Sequence, residues 1–222
     1  MFFHWLEKNP FFFAAAISIV IAFAGLIEIV PNFSLAAKPT IDTKPRTVLE
    51  LAGKNVYIKD NCHSCHSQLI RPFKSETDRY GEYSLSGEYA FDRPFLWGSK
   101  RTGPDLHRVG NYRTTDWHEN HMLNPPEIVP GSIMPAYKHQ FTNLADIETA
   151  YAEAVTVKNA FHTPYGPEFK TTRAAWDAHR PKVLADAKAI ADDMKNKYVK
   201  EEVANGQVPE IVALIAYLNS LK

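Results

Sequence analysis

The only two cysteines among the 222 residues, Cys62 and Cys65, stand in the stretch NCHSCHSQ with His66 directly after the second. Two thiols at this spacing add across the two vinyl groups of a haem as thioethers. The adjacent imidazole then reaches the iron from the same side, so C-x-x-C-H reads as a covalent c-type haem attachment. A zinc site would need four ligands, usually from two separated pairs, and there is no second cysteine pair. A dithiol redox pair would sit beside a βαβ pattern, and none surrounds this one. The motif consumes both thiols, and His63 falls on one of its variable positions.

An iron held by His66 has a second axial face to fill. Of the four methionines, Met1 is the first residue, Met194 lies in a charged helical stretch and Met122 has helical neighbours typical of core. Met134, in EIVPGSIMPAY between Pro130 and Pro135, sits on a stiffened backbone that presents a thioether at a fixed angle with little entropy left to lose. The rival is a second histidine from His107, His118, His121 or His139. A His/Met pair leaves no open coordination position, which favours electron transfer over dioxygen chemistry and raises the potential relative to two histidines. Between the ligands lies RTGPDLHRVGN. There a turn at Gly103 and Pro104 offers a carbonyl for the non-iron nitrogen of His66.

These residues need elements to hold them. Thr47 and Glu50 form a T-x-x-E capping box, and apolar residues recur at helical spacing through Tyr57. A helix continuing through the motif would place Cys62, Cys65 and His66 on one face. The last element, VPEIVALIAYLNSLK, is expected to begin its helix at Pro209 and to bury Ile211, Leu214, Ile215 and Leu218, crossing the first helix at Gly53. Near the N-terminus, Phe11 to Val30 is an apolar run with one charge, Glu28; at ~1.5 Å per residue it reaches about 30 Å, a bilayer's hydrocarbon thickness. It reads as a retained anchor, with a signal peptide cleaved near SLAAK as the alternative. The basic residues Lys38, Lys44 and Arg46 outnumber those before the span, although long domains cross largely regardless of charge.

Two stretches exceed a minimal haem domain. His66 and Met134 stand 68 positions apart, and residues 67–102 carry Tyr80, Tyr83, Tyr89, Phe91, Phe95 and Trp97, with Arg71, Arg93 and Arg101 but no helical periodicity. This reads as a contact surface, part of which packs on the haem; Trp97 and Arg101 are expected there. Residues 142–205 read as added helices, one capped by Asn143 with Leu144 inward, another starting after Pro181 and ending at Asn205-Gly206. Their charged faces read as solvated. With Lys+Arg and Asp+Glu both at 25, nothing points to a nucleic-acid partner.

A helix entering C-x-x-C-H, then G-P-D-L, then M-P, then a short amphipathic terminal helix, resembles a class I cytochrome c domain, an all-α fold with haem filling its core. That resemblance implies thioethers at Cys62 and Cys65, His66 proximal and supported by Pro104, and Met134 distal. GEYSLSGEYAFDRPFLWGSKRTGPDLHRVGN, DWHENHMLNPPEIVPGSIMPAY and the opening MFFHWLEKNPFFF are together similar to the mono-haem, membrane-anchored subunit of cbb(3)-type cytochrome c oxidase (subunit II, CcoO/FixO) over nearly the whole chain. NYRTTDWH has no role assigned by the resemblance. The organisation expected is an anchor at 1–36 and a cytochrome c domain at 37–222 on the periplasmic side of the bacterial inner membrane. The resemblance implies one covalent haem c that takes electrons from a di-haem cytochrome c subunit or a soluble periplasmic cytochrome. It would pass them to the haem–copper membrane subunit that reduces dioxygen and pumps protons, the chain not being catalytic alone. The aromatic loop would dock on that subunit. Rivals are the anchored cytochrome c subunit of nitric oxide reductase, a stand-alone anchored carrier, and a haem-based sensor.

Overall fold

The computed structural model describes residues 2–34, 41–98 and 100–222. Among them every regular element is helical, and the one β-type pairing is an isolated bridge between Leu144 and Pro209.

A short helix α1 (Phe2–Lys8) turns at Asn9, whose side-chain amide donates to the Trp5 carbonyl at 2.7 Å, into the long helix α2 (Pro10–Ser34). The 22 residues Pro10–Pro31 are long and apolar enough to cross a membrane, and none of that stretch is buried against the rest of the chain. Phe11, Ile19, Val20, Ile21 and Phe23 are each more than 60% exposed, an apolar face that only a lipid or protein neighbour can cover. The SLAAK stretch runs into residues outside those described.

The core begins with α3 (Val48–Lys59). Glu50 N–H donates to Thr47 Oγ1 and Thr47 N–H to Glu50 Oε2, closing the expected capping box. This helix crosses the terminal helix α10 (Glu210–Ser220) where Gly53 meets the other backbone: a Cβ built at Gly53 would lie 1.9 Å from the Ala213 carbonyl oxygen. The stripe Ile211, Leu214, Ile215 and Leu218 is buried as expected, while Pro209 stands just outside α10 as its cap.

Five boundaries differ from expectation, each for an identifiable physical reason. The helix before the cysteines stops at Lys59, because Asn61 turns left-handed (φ 58°) and Cys62–Ser64 form a 3₁₀ turn. The stretch 67–102 contains α4 (Lys74–Tyr80), held by the Lys74–Asp78 ion pair and by Glu76 accepting from the Arg71 N–H, polar contacts that leave no apolar periodicity to read. After α5 (Thr115–Leu123) and the single turn α6 (Pro125–Ile128), helix α7 (Ile147–Phe161) is capped by Asp146 rather than Asn143. Asn143 instead gives its carbonyl to the Glu210 N–H, and Leu144 is left 47% exposed. Helix α8 (Arg173–Asp192) starts well before Pro181, capped by Thr172. It buries Trp176, Val183, Ala187 and Ala191, so that packing tolerates the hydrogen bond that Pro181 removes. A separate α9 (Lys197–Ala204) follows; its lead-in is held by Glu119, which accepts from the Lys195 and Asn196 N–H groups. Gly206 (φ 79°) ends it where Asn205-Gly206 was expected to.

The contact at Gly53 is backbone against backbone, so no side-chain rotation relieves it. Gly53→Ala is expected to lower stability by roughly 1–3 kcal/mol or more, seen as a lower urea midpoint of the haem-loaded chain. An unchanged midpoint would mean that the two helices separate freely at this point.

Candidate haem site

His66 N–H bonds back to the Cys62 carbonyl at 3.0 Å, so the α-type spacing survives locally even though α3 has ended, and the imidazole stays on the side of Cys62. Both thiols are free, Cys62 buried and Cys65 exposed. Burial pushes the Cys62 thiol up to about 12, the opposite of what a thiolate redox pair requires.

The segment after the motif is pinned along its length by the G-P-D-L loop. Gly103 N–H donates to the Cys65 carbonyl and Leu106 N–H to the Ser67 carbonyl, both at 2.9 Å. The Asp105 carboxylate, 1% exposed, accepts from Ser67 Oγ at 2.6 Å and from the N–H groups of Leu69 at 2.9 Å and His107 at 2.8 Å. His66 Nδ1 lies 2.8 Å from the Pro104 carbonyl, the arrangement in which the ring donates from Nδ1 and leaves Nε2 free to face a metal. Nε2 makes no hydrogen bond to any described residue. Burial lowers the His66 pKa, and the Pro104 bond only partly restores it, so the imidazole is held neutral. Gly103 lies flat against this ring: a Cβ there would sit 2.3 Å from His66 Cε1.

Arg101 and Trp97 lie elsewhere. Arg101 Nε donates to Ser67 Oγ at 2.6 Å, and its Nη2 to the Leu69 carbonyl at 2.7 Å and to Glu76 at 2.8 Å. Those partners hold the guanidinium behind the pinned segment, outside the lining of the cavity described next. Trp97 gives its backbone carbonyl to Gln68 N–H at 2.8 Å and stacks on Phe95 (4.7 Å, 9°), also outside that lining.

One large cavity of about 1860 Å³ opens between these elements, and Cys62, Cys65, His66, Pro104 and Met134 all line it. That exceeds the roughly 300–1,000 Å³ of an ordinary small-molecule pocket, room enough for a flat macrocycle. Met134 follows Gly131 (φ 80°), and Tyr137 N–H donates to the Met122 carbonyl at 2.8 Å, tying its loop to the end of α5. Met122 is both buried core and cavity lining. Of the rival histidines, His139 lies outside the lining beside Asp60, while His107, His118 and His121 all line the cavity, His107 with its Nε2 engaged by Glu88 at 2.6 Å.

The stretch NYRTTDWH, to which the resemblance assigned no role, together with the following ENH supplies one corner of this cavity. Both ring nitrogens of His118 and the Nδ1 of His121 are buried without a hydrogen-bond partner. Arg113 stacks over Trp117 at 4.2 Å, and Trp117 over His121 at 4.5 Å; Arg113 makes no ion pair with a described residue. Burial, then the neighbouring His121 and Arg113, push His118 down to about 4; burial, then His66 and Arg113, do the same to His121. Neutral imidazole N–H groups and an unpaired guanidinium form a donor-rich corner that complements the two carboxylates of a haem. The readable signal was W-H-x-x-H, in which His121 follows Trp117 by four positions and His118 by three, the spacings that bring side chains together on a helix.

Gly103→Ala is expected to tilt the His66 ring and lengthen its bond to Pro104. The check is loss of low-spin character in the visible spectrum of the haem-loaded variant; an unaltered spectrum would show that the ring has room to yield. A second expectation concerns acid. Bonds from Arg101 and Arg71 outweigh burial and hold Glu76 down to about 2; against burial, Arg108, the Leu85 N–H and His107 hold Glu88 at about 2. Both favour the folded state at neutral pH because the unfolded chain takes up protons first. Their contribution should fade as pH falls from about 4.5 towards 2, read as a falling urea midpoint across that window, and a flat midpoint there would remove these pairs from the stability of the loop.

A sequence profile described as "Cytochrome C oxidase, mono-heme subunit/FixO" matches residues 3–222, nearly the entire chain. No individually curated protein matches it significantly. The all-helical architecture, the exposed apolar helix and a cavity fitted to a haem agree with that profile. The chain therefore belongs to the FixO family, the mono-haem subunits of cytochrome c oxidase.

Proposed function

We propose that the chain is the electron-transfer subunit of a cbb(3)-type oxidase and carries one haem c, bound through thioethers at Cys62 and Cys65, with His66 and Met134 as axial ligands. The observation that carries this is the convergence of Cys62, Cys65, His66, Pro104 and Met134 on one cavity, with His66 already oriented by Pro104. When bound, the haem supplies a one-electron Fe(III)/Fe(II) couple. The chain's own residues do the rest. Pro104 and Gly103 fix the ring of His66; Arg113, Trp117, His118 and His121 would hold the carboxylates of the haem, and Met134 would offer it a thioether. With both axial positions filled, the chain carries single electrons and leaves dioxygen chemistry to a partner subunit.

The anchor is residues 1–36 and the haem domain residues 37–222, on the periplasmic side of a bacterial inner membrane. Electrons arrive from a di-haem cytochrome c subunit or a soluble cytochrome and leave for the haem–copper subunit. The aromatic loop is the docking element. Phe95 and Trp97 remain 46% and 42% exposed although stacked on each other, and Arg93 lies over both Phe95 and Phe161. Phe161 in turn stacks on Phe33 at the end of α2, so the patch continues from the membrane anchor, where a membrane subunit would stand. Family membership favours the oxidase over the nitric oxide reductase subunit, the free-standing carrier and the sensor.

The test is mild-detergent purification from the native membrane with a reduced-minus-oxidised spectrum and copper analysis. The chain should bring b-type haem and copper with it. Met134→Ala should keep covalent haem and copper but lose low-spin c-type bands and lower the reduction potential. Phe95→Ala/Trp97→Ala should keep the c-type spectrum and reduce the yield of complex. Isolation with c-type haem alone would sink the oxidase reading, and an unaltered Met134→Ala spectrum would move the distal ligand to His118 or His121.

A further inference from the structure

A second group of ligand-type side chains lies outside the haem cavity apart from one shared residue, Asp60. Asp60 at the end of α3, His139 in the 3₁₀ turn Lys138–Phe141 and Glu210 at the start of α10 bring one oxygen or nitrogen atom each within 4.8 Å of one another. His139 Nε2 lies 3.1 Å from Asp60 Oδ2, which also accepts from Gln140 Nε2 at 2.6 Å. The side chains of Asp60 and Glu210 are each 8% exposed, and that of His139 is 45% exposed, so the cluster is walled on the protein side and open to water on one.

Its hydrogen bonding is incomplete. Lys59 pairs with Glu210 through Oε1 only, leaving Oε2 buried without a partner. An acceptor stranded in this way costs on the order of 1–3 kcal/mol, more when charged, and native structures satisfy nearly all of them. The stranded Oε2 of Glu210 is an acceptor, so what is missing there is a donor or a cation. Lys59 does not supply it: its side chain is half exposed, and its ammonium stands 3.9 Å from Asp60.

We propose that Asp60, His139 and Glu210 bind a first-row divalent cation, zinc being the best match, with water on the exposed side. One imidazole and two carboxylates suit zinc, which takes such donors at ~2.0–2.2 Å in a four-coordinate shell; magnesium and calcium prefer oxygen alone. With the three donor atoms within 4.8 Å of one another, small rotations of the Asp60, Glu210 and exposed His139 side chains gather them around one cation, and Lys59 swings out to water. The cation ties together the ends of three segments: the helix that stops two residues before Cys62, the turn that follows the Met134 loop, and the helix that crosses α3. It is a structural clamp on both halves of the haem cavity, and it stands whether or not Met134 is the distal ligand.

The experiment is equilibrium dialysis of the haem-loaded full-length chain in detergent against zinc alone, with magnesium as control, followed by metal analysis and thermal unfolding. One zinc per chain is expected, with a higher unfolding temperature. His139→Ala, which alters an exposed side chain, should weaken binding by roughly tenfold or more and abolish the thermal shift while the haem spectrum is unchanged. Lys59→Met removes the competing ammonium and should tighten binding. Absence of zinc from the wild-type chain would overturn the proposal and leave Lys59 and a bound water as the occupants. So would equal binding by wild type and His139→Ala, or Lys59→Met binding no tighter.

Discussion

Everything around the cavity depends on two strand-like segments being fastened side by side. The N–H groups of Gly103 and Leu106 donate to the carbonyls of Cys65 and Ser67, and the buried Asp105 carboxylate bridges the two segments through Ser67, Leu69 and His107. A carboxylate taken out of water is tolerated only when its lone pairs are filled, and here backbone and hydroxyl donors fill them with Arg101 3.6 Å away. Tyr57 and Tyr89 extend the same fastening to the carbonyls of His66 and Gln68, and Tyr217 reaches the Gln68 side chain. The His66 ring is thus oriented by a frame assembled from distant parts of the chain.

That frame explains what was readable beforehand and what was not. C-x-x-C-H, the capping box at Thr47, the glycine crossing at Gly53 and the amphipathic terminal helix are local patterns, and the structure contains the last three as read. The misplaced boundaries share another cause. Asn61, Asp146, Thr172 and Asn196 are short polar residues whose role as turn or cap is decided by which backbone donor tertiary packing leaves without a partner. Pro181 looked like a start because proline favours first turns, yet buried Trp176 and Val183 hold the helix on both sides of it.

Arg101 and Trp97 illustrate the limit at the site. Both are residue types that contact haems, and both flank G-P-D-L, but their partners Glu76 and Phe95 draw them to the back and the surface of the loop. Buried charge serves the same end on the other side of the loop. Asp92 is held by Arg46 at 2.9 Å and by Lys54, itself 2% exposed, at 3.1 Å, which fastens the loop to α3. Burial lowers the Lys54 pKa even against that carboxylate, the mark of an ammonium sealed inside the protein. The aromatic loop is therefore a rigid projection, clamped by ion pairs at two places.

The stacked series from Phe33 through Phe161, Arg93 and Phe95 to Trp97 bears on motion. A domain hung from a membrane by a slack tether samples many headings, and only the fraction facing a partner is competent to act, a loss that enters directly into the apparent rate or affinity. Rings and a guanidinium in contact from the end of the span to the tip of the loop restrict that sampling before any neighbour arrives. The anchor then serves as an orienting shaft as well as an attachment, and much of the entropy of presenting one face has already been lost when assembly begins.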